Sequence, residues 1–272
     1  MKTKILKQYV VDAFTDQVFG GNPAAVCVMD EWLPDQDMQK IAAENCLSET
    51  AFTVREGNRY RLRWFTPGCE VKLCGHATLA TTFVLANFYD REAVRFDFDS
   101  LSGPISVEKI CTEKGNTLFQ LNFPTSRFRP VEITPELVDA IGFTPKEAYL
   151  AASYLFVMDS EDAVRNYQPD FSKLMQIPEG GGILITAPSS HEGYDFASRC
   201  FFPKQSINED PVTGSSHCTF VPYWSKRLGK KELVARQLSR RQGTLYCEDC
   251  GERILISGSA VLYSKAEITV PL

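Results

Sequence analysis

The residue in this chain best suited to moving a proton is Glu49, in the stretch "NCLSETAFTV" from Asn45 to Val54. Its neighbours Leu47, Ala51 and Phe52 are apolar, which implies partial burial. Burial raises a carboxyl pKa toward the range useful for general acid–base work. A capping or salt-bridged glutamate is the competing reading. The three histidines are His76, His191 and His217. His76 and His217 stand in the glycine-led segments "CGHATLA" (Cys74 to Ala80) and "TGSSHC" (Thr213 to Cys218), and this placement favours a functional His76. Asp210, directly before Pro211, is either a turn-former or a second acid/base group, the turn being the simpler reading.

Both glycine-led segments read as helix starts. A helix start presents unsatisfied backbone N–H groups and the positive end of the helix dipole, so it favours an anion. Small residues let a ligand approach the backbone: Gly75 and Ala77 in the first segment, Gly214 in the second. The hydroxyls of Thr78, Ser215 and Ser216 are candidates for gripping a small carboxylate. One such start is a common structural feature; two at matching places are a stronger signal.

The elements carrying these residues repeat. "AVCVMDEWLPDQDMQKIAAENCLSETAFTV" from Ala25 and "YLFVMDSEDAVRNYQPDFSKLMQIPEGGGILITA" from Tyr154 both read as strand, amphipathic helix, strand. In the first helix Met38, Ile41 and Ala42 share a face, with Asp35 expected as N-cap. An alternating strand, a polar loop and a nearly all-apolar helix then follow in each half, from Tyr60 and from Tyr194. Leu79, Thr82, Phe83 and Ala86 are expected to bury the first of these helices, and Phe220, Trp224 and Leu228 the second, which Pro222 should bend. The segments from Ala93 to Ile110, Thr117 to Pro124 and Gly251 to Ile268 read as hairpins. Ser126 to Pro135 reads as the linker. The fold class is therefore α+β with an internal duplication, each half being mostly antiparallel strands curled around one central helix.

Composition limits the functions. The chain has 272 residues, long enough for two domains, and 44% are hydrophobic. A net charge of -5 argues against a nucleic-acid partner. No stretch approaches the roughly 20 apolar residues of a membrane span. Met1 to Val11 reads as a first strand rather than a secretory signal. Nine cysteines, an odd number, then fit free thiols in a reducing cytoplasm.

Five ordered motifs carry a family resemblance: "VDAFTDQVFGGNPAAVCV" (Val11 to Val28), "SETAF" (Ser48 to Phe52), "LCGHATLAT" (Leu73 to Thr81), "DPVTGSSHC" (Asp210 to Cys218) and "PYWSKRLGK" (Pro222 to Lys230). "RQGTLYCEDCGERILISGSAV" (Arg241 to Val261) extends it. The chain resembles the PhzF, phenazine-biosynthesis-like, family over essentially its whole length. That resemblance implies the diaminopimelate-epimerase-like fold, two pseudo-symmetric lobes with the active site in the cleft between them. The expected lobes are 1–125 and 126–261, with a last strand at about 262–272 crossing back to the first. It further implies a homodimer, and an isomerase that moves a proton on a small carboxylate with no metal and no organic cofactor. Glu49 then matches the family's general acid/base. Gly75, His76, Asp210, Gly214 and Ser215 match residues lining its substrate cleft.

Three other readings compete. A two-thiol epimerase would use Cys74, but the corresponding place before Gly214 is Thr213, whose hydroxyl is far too weak an acid or base. A zinc site would use Cys247 and Cys250 with Cys69, Cys74 and His76, yet "YCEDCGE" reads better as a hairpin turn. A catalytically silent carboxylate-binding protein is the third, because a fold does not guarantee an activity.

Overall fold

The computed structural model describes residues 3–112 and 115–271. The chain divides into two units, residues 1–122 with 257–272, and residues 123–256. Both are α+β and dominated by sheet.

The first unit begins with β1 (Thr3–Ala13) and β2 (Asn22–Met29), then α1 (Asp35–Asn45), β3 (Glu49–Glu56), β4 (Arg59–Phe65) and β5 (Glu70–Val71). It continues through α2 (Gly75–Phe88), β6 (Arg95–Ser100), β7 (Gly103–Cys111) and β8, which runs from Thr117 past the unit's end to Pro124. β1 and β2 are antiparallel, β2 and β3 parallel, and β3 and β4 antiparallel. β4 pairs antiparallel with β5 and parallel with β6, and β6, β7 and β8 follow antiparallel.

The C-terminal strand Ala260–Pro271 runs antiparallel along all of β1, from Thr3 opposite Pro271 to Ala13 opposite Ala260. Gly251 to Ile268, expected as one hairpin, is thus divided: its second half is a long strand on β1. Cys250 to Glu252 does form a tight turn, closed by the Cys250 N–H donating to the Arg253 carbonyl at 2.9 Å. Among the described residues the pairings of this unit do not close into a barrel.

Helix α2 is the unit's centre. Residues 76–82 and 84–86 are all buried, against β1, β2 and β3. Each fully buried Leu or Val side chain there contributes about 1.5–3 kcal/mol. The nearly all-apolar sequence is the consequence of being wrapped on every side. Helix α1 packs Met38 and Ala42 with Cys27, Phe52 and Phe65. Its N-cap is Pro34 rather than Asp35. Asp35 occupies the first helical turn, where its carboxylate pairs with Arg63 at 2.8 Å instead of capping.

The second unit holds β9 (Arg129–Pro130), α3 (Pro135–Ile141), β10 (Glu147–Leu150), β11 (Tyr154–Val157), α4 (Glu161–Asn166) and α5 (Phe171–Leu174). β12 (Ile183–Pro188), β13 (Phe196–Phe202), β14 (Ile207–Asp210), α6 (Gly214–Leu228), β15 (Glu232–Gln237), β16 (Gly243–Asp249) and β17, which runs from Arg253 past the unit's end to Gly258, follow. β11 and β12 are parallel, β12 and β13 antiparallel, β13 pairs antiparallel with β14 and parallel with β15, and β15 and β16 are antiparallel. The series from β2 to β7 has the same five kinds of pairing in the same order, so the duplication extends to hydrogen-bonded topology.

The second unit departs from expectation in three places. Its single amphipathic helix is two short ones, α4 and α5, separated by Tyr167 to Asp170, because Pro169 cannot continue a helix. The expected linker is tied in by β9, whose Arg129 and Pro130 pair with Leu150 and Tyr149. Leu228, expected to be buried, is 42% exposed at the end of α6. Pro222 lies inside α6 and has no N–H to give the Cys218 carbonyl, which instead accepts from the Ser126 N–H at 3.0 Å.

Candidate active site

Glu49 opens β3 opposite Ala24 of the parallel strand β2, and Asn22 opens β2. Cys74 is the N-cap of α2 and His76 lies in its first turn. These strand and helix starts bring four side chains together. His76 Nε2 is 3.1 Å from Glu49 Oε2. Asn22 Nδ2 is 3.2 Å from His76 Nδ1, and Cys74 Sγ is 3.5 Å from the same nitrogen. All four residues are buried, Asn22 fully and Glu49 with 9% of its surface exposed.

The turn before Asn22 is fixed by glycine. Gly21 has φ +59°, and a Cβ there would stand 2.1 Å from the Ala13 carbonyl oxygen.

The electrostatics of the cluster follow from burial. Burial acts to lower the His76 pKa, while Cys74 and Glu49 act to raise it; they prevail, and it lies well above the ordinary 6.5. Burial, reinforced by the Glu49 charge, pushes the Cys74 thiol up to about 11. Near neutral pH the thiol is therefore protonated, and the His76 ring faces the Glu49 carboxyl group. Glu49 Oε2 lies within ion-pair distance of the ring but off its N–H direction, and no directed hydrogen bond satisfies that buried oxygen. It is a buried carboxyl oxygen beside the imidazole ring.

The other expected residues divide. Gly75 and Ala77 lie in the first turn of α2, which no side chain caps, so its first N–H groups are not taken by a capping side chain. Thr78 is different: its hydroxyl donates to the Cys74 carbonyl at 2.5 Å and is fully buried, so it is no carboxylate donor.

In the second unit Asp210 ends β14, and its Oδ2 accepts from the Thr213 hydroxyl at 2.5 Å. The Gln237 side chain locks this turn, donating to the Asp210 carbonyl at 2.8 Å and accepting from the Thr213 N–H at 2.8 Å. Gly214 and Ser216 are buried at the α6 start and Ser215 is exposed; no side chain caps this helix either. His217 sits between the Phe196 and Phe220 rings with Nδ1 2.9 Å from the Thr213 carbonyl. Burial lowers its pKa to about 4, against the small upward effect of that hydrogen bond. His191 pairs instead with the buried Glu161 at 2.9 Å.

Two participants escaped the sequence reading. Asn22 is signalled by the Gly-Gly-Asn-Pro turn that delivers it. Gln237 had no local signal, since it acts on residues 24 or more positions away.

A family model described as phenazine biosynthesis-like protein, PhzC-PhzF, matches residues 11–266. The chain belongs to the PhzC-PhzF family. An uncharacterized isomerase of Pseudomonas aeruginosa is 46% identical over 255 residues, covering 94% of this chain and 95% of that protein. The crystal structure of a PhzF-family protein from Enterococcus faecalis has a TM-score of 0.92 at 48% identity, covering 97% of this chain and 99% of that one. A hydroxyproline epimerase from Agrobacterium vitis shares the fold, with a TM-score of 0.59 at 9% identity over 97% and 92% of the two chains. Like its PhzC-PhzF relatives, the chain is an isomerase. No helix among its described residues is long and apolar enough to cross a membrane.

Proposed function

We propose that this PhzC-PhzF isomerase moves a proton on a small carboxylate, cyclic or amino-acid-like, with Glu49 as the acid/base and no cofactor. The observation that carries the reading is the buried Glu49 Oε2, 3.1 Å from His76 Nε2 and free of any directed hydrogen bond. The Glu49 carboxylate takes a proton from a substrate carbon as that C–H bond breaks, and its electron pair delocalises toward the substrate carboxylate. Glu49 becomes neutral in the same step while negative charge develops on the substrate. His76 and the uncapped N–H groups at Gly75 and Ala77 stabilise that charge. Glu49 then returns the proton to a different carbon or face. Asn22 orients His76. Asp210 holds the α6 start, whose backbone N–H groups at Gly214, Ser215 and Ser216 suit an anion.

The thiol alternative is disfavoured by Cys74 itself: held at about 11, it is a poor base near neutral pH. The Thr213 hydroxyl, at the matching place, is committed to Asp210. All nine cysteines are free, which supports a cytoplasmic setting. The reading includes a homodimer, which light scattering would report as twice the chain's 30.5 kDa. A thermal-shift screen of cyclic and amino-acid carboxylates, dihydro-hydroxyanthranilate included, tests the substrate class. A ligand that stabilises both the wild type and Glu49→Gln is the expected result. Failure of every carboxylate to stabilise either protein would contradict it.

A further inference from the structure

The same cluster has a second chemical capacity, which holds whether or not Glu49 is the catalytic acid/base. Glu49, Cys74 and His76 each offer one metal-ligand atom, and the three atoms lie within 4.8 Å of one another. A tetrahedral zinc ion binds sulfur at about 2.3 Å and nitrogen or oxygen at about 2.0–2.1 Å, so its ligand atoms stand about 3.3–3.6 Å apart. The distances here bracket that range: 3.1 Å from His76 Nε2 to Glu49 Oε2 and 4.0 Å from His76 Nε2 to Cys74 Sγ. Side-chain adjustment of up to about an ångström would close the set around an ion. Glu49 Oε2 supplies an independent sign of ligand capacity, being a buried carboxylate oxygen with no directed hydrogen bond.

We infer that Glu49, Cys74 and His76 capture one soft divalent cation of the zinc class. Binding breaks the Cys74 S–H bond, forms the metal–sulfur bond and releases that proton to solvent, while His76 donates through a ring nitrogen and Glu49 through its carboxylate. A thiolate, a carboxylate and a dication sum to zero, so the loaded site buries no uncompensated charge. The thiolate selects zinc or cobalt over magnesium or calcium. Three protein ligands leave the fourth position to water. On the proposed acid/base role of Glu49, an ion on its oxygen also acts as an inhibitor.

Cobalt(II) titration of the full chain, followed by its thiolate-to-metal charge-transfer absorption, tests the site. One ion per chain with that band, and competition by zinc, are the expected results. Cys74→Ser should remove the band and Glu49→Gln should weaken binding at least about tenfold. Cys69→Ser, which alters an exposed thiol, should leave the band intact. Absence of the band in the wild type, or an undiminished band in Cys74→Ser, would overturn the inference. The readout is spectroscopic and independent of turnover, so a failure here leaves the acid/base reading standing, and the reverse also holds.

Discussion

At the scale of single residues, the account separates groups that resemble one another in sequence. Cys74→Ser should change turnover less than tenfold in a steady-state assay, because a thiol held at about 11 contributes little as a base. A complete loss would restore the thiol mechanism. His217 differs from His76 although both stand at uncapped helix starts. Its folded pKa of about 4 lies below the unfolded value of 6.5, so the unfolded chain binds the extra proton between those limits. Stability is therefore fully present above about pH 6.5 and falls as the pH drops toward 4, by on the order of 3 kcal/mol from this group. Denaturant melts across that range should show the slope in the wild type and a shallower one in His217→Gln. Equal slopes would mean that His217 is already accessible to solvent protons.

At the scale of elements, the site depends on how strands and helices begin. Gly21→Ala would place a Cβ against the Ala13 carbonyl at a left-handed φ, costing about 1–3 kcal/mol and displacing Asn22 from His76. Thermal denaturation should show the loss, and an unchanged melting temperature would show that the turn rearranges freely. Glu161, only 1% exposed at the start of α4, accepts from the Ser189 hydroxyl and the Ser190 N–H, both at 2.8 Å. Glu161→Gln should cost about 2 kcal/mol in chemical denaturation by leaving donors unmatched. Much of this scale was legible in the sequence. The bounds of β8 and the all-apolar character of α2 are direct readings of period and composition, as is the strand–helix–strand order around Glu49. Asp35 misled because Arg63, which draws the carboxylate away from the helix start, is distant in sequence. Thr78 misled because a hydroxyl at a helix start can turn back on the preceding turn, a choice that only the packing around it decides. Gln237 could not be found from local pattern, since its role is set by the β13–β15 pairing that brings it to Thr213.

At the scale of the whole molecule, the repeated topology was visible only as a faint echo of Met-Asp strand ends and glycine-led helices, whereas the hydrogen-bonded pairing shows it in full. The C-terminal strand completes the first unit along the whole of β1, so truncation after Ser259 should expose the β1 amides to hydrogen exchange while β11–β13 stay protected. Unchanged protection of β1 would contradict that dependence. The central claim is that Glu49 carries the proton. It is tested most directly by incubating a carboxylate that stabilises the enzyme in heavy water and following deuterium at its carbons by NMR. The account predicts enzyme-dependent exchange in the wild type, reduced by a factor of about 10²–10⁴ in Glu49→Gln while that variant keeps its fold and binds the ligand. Exchange at the wild-type rate in a folded, ligand-binding Glu49→Gln would contradict it.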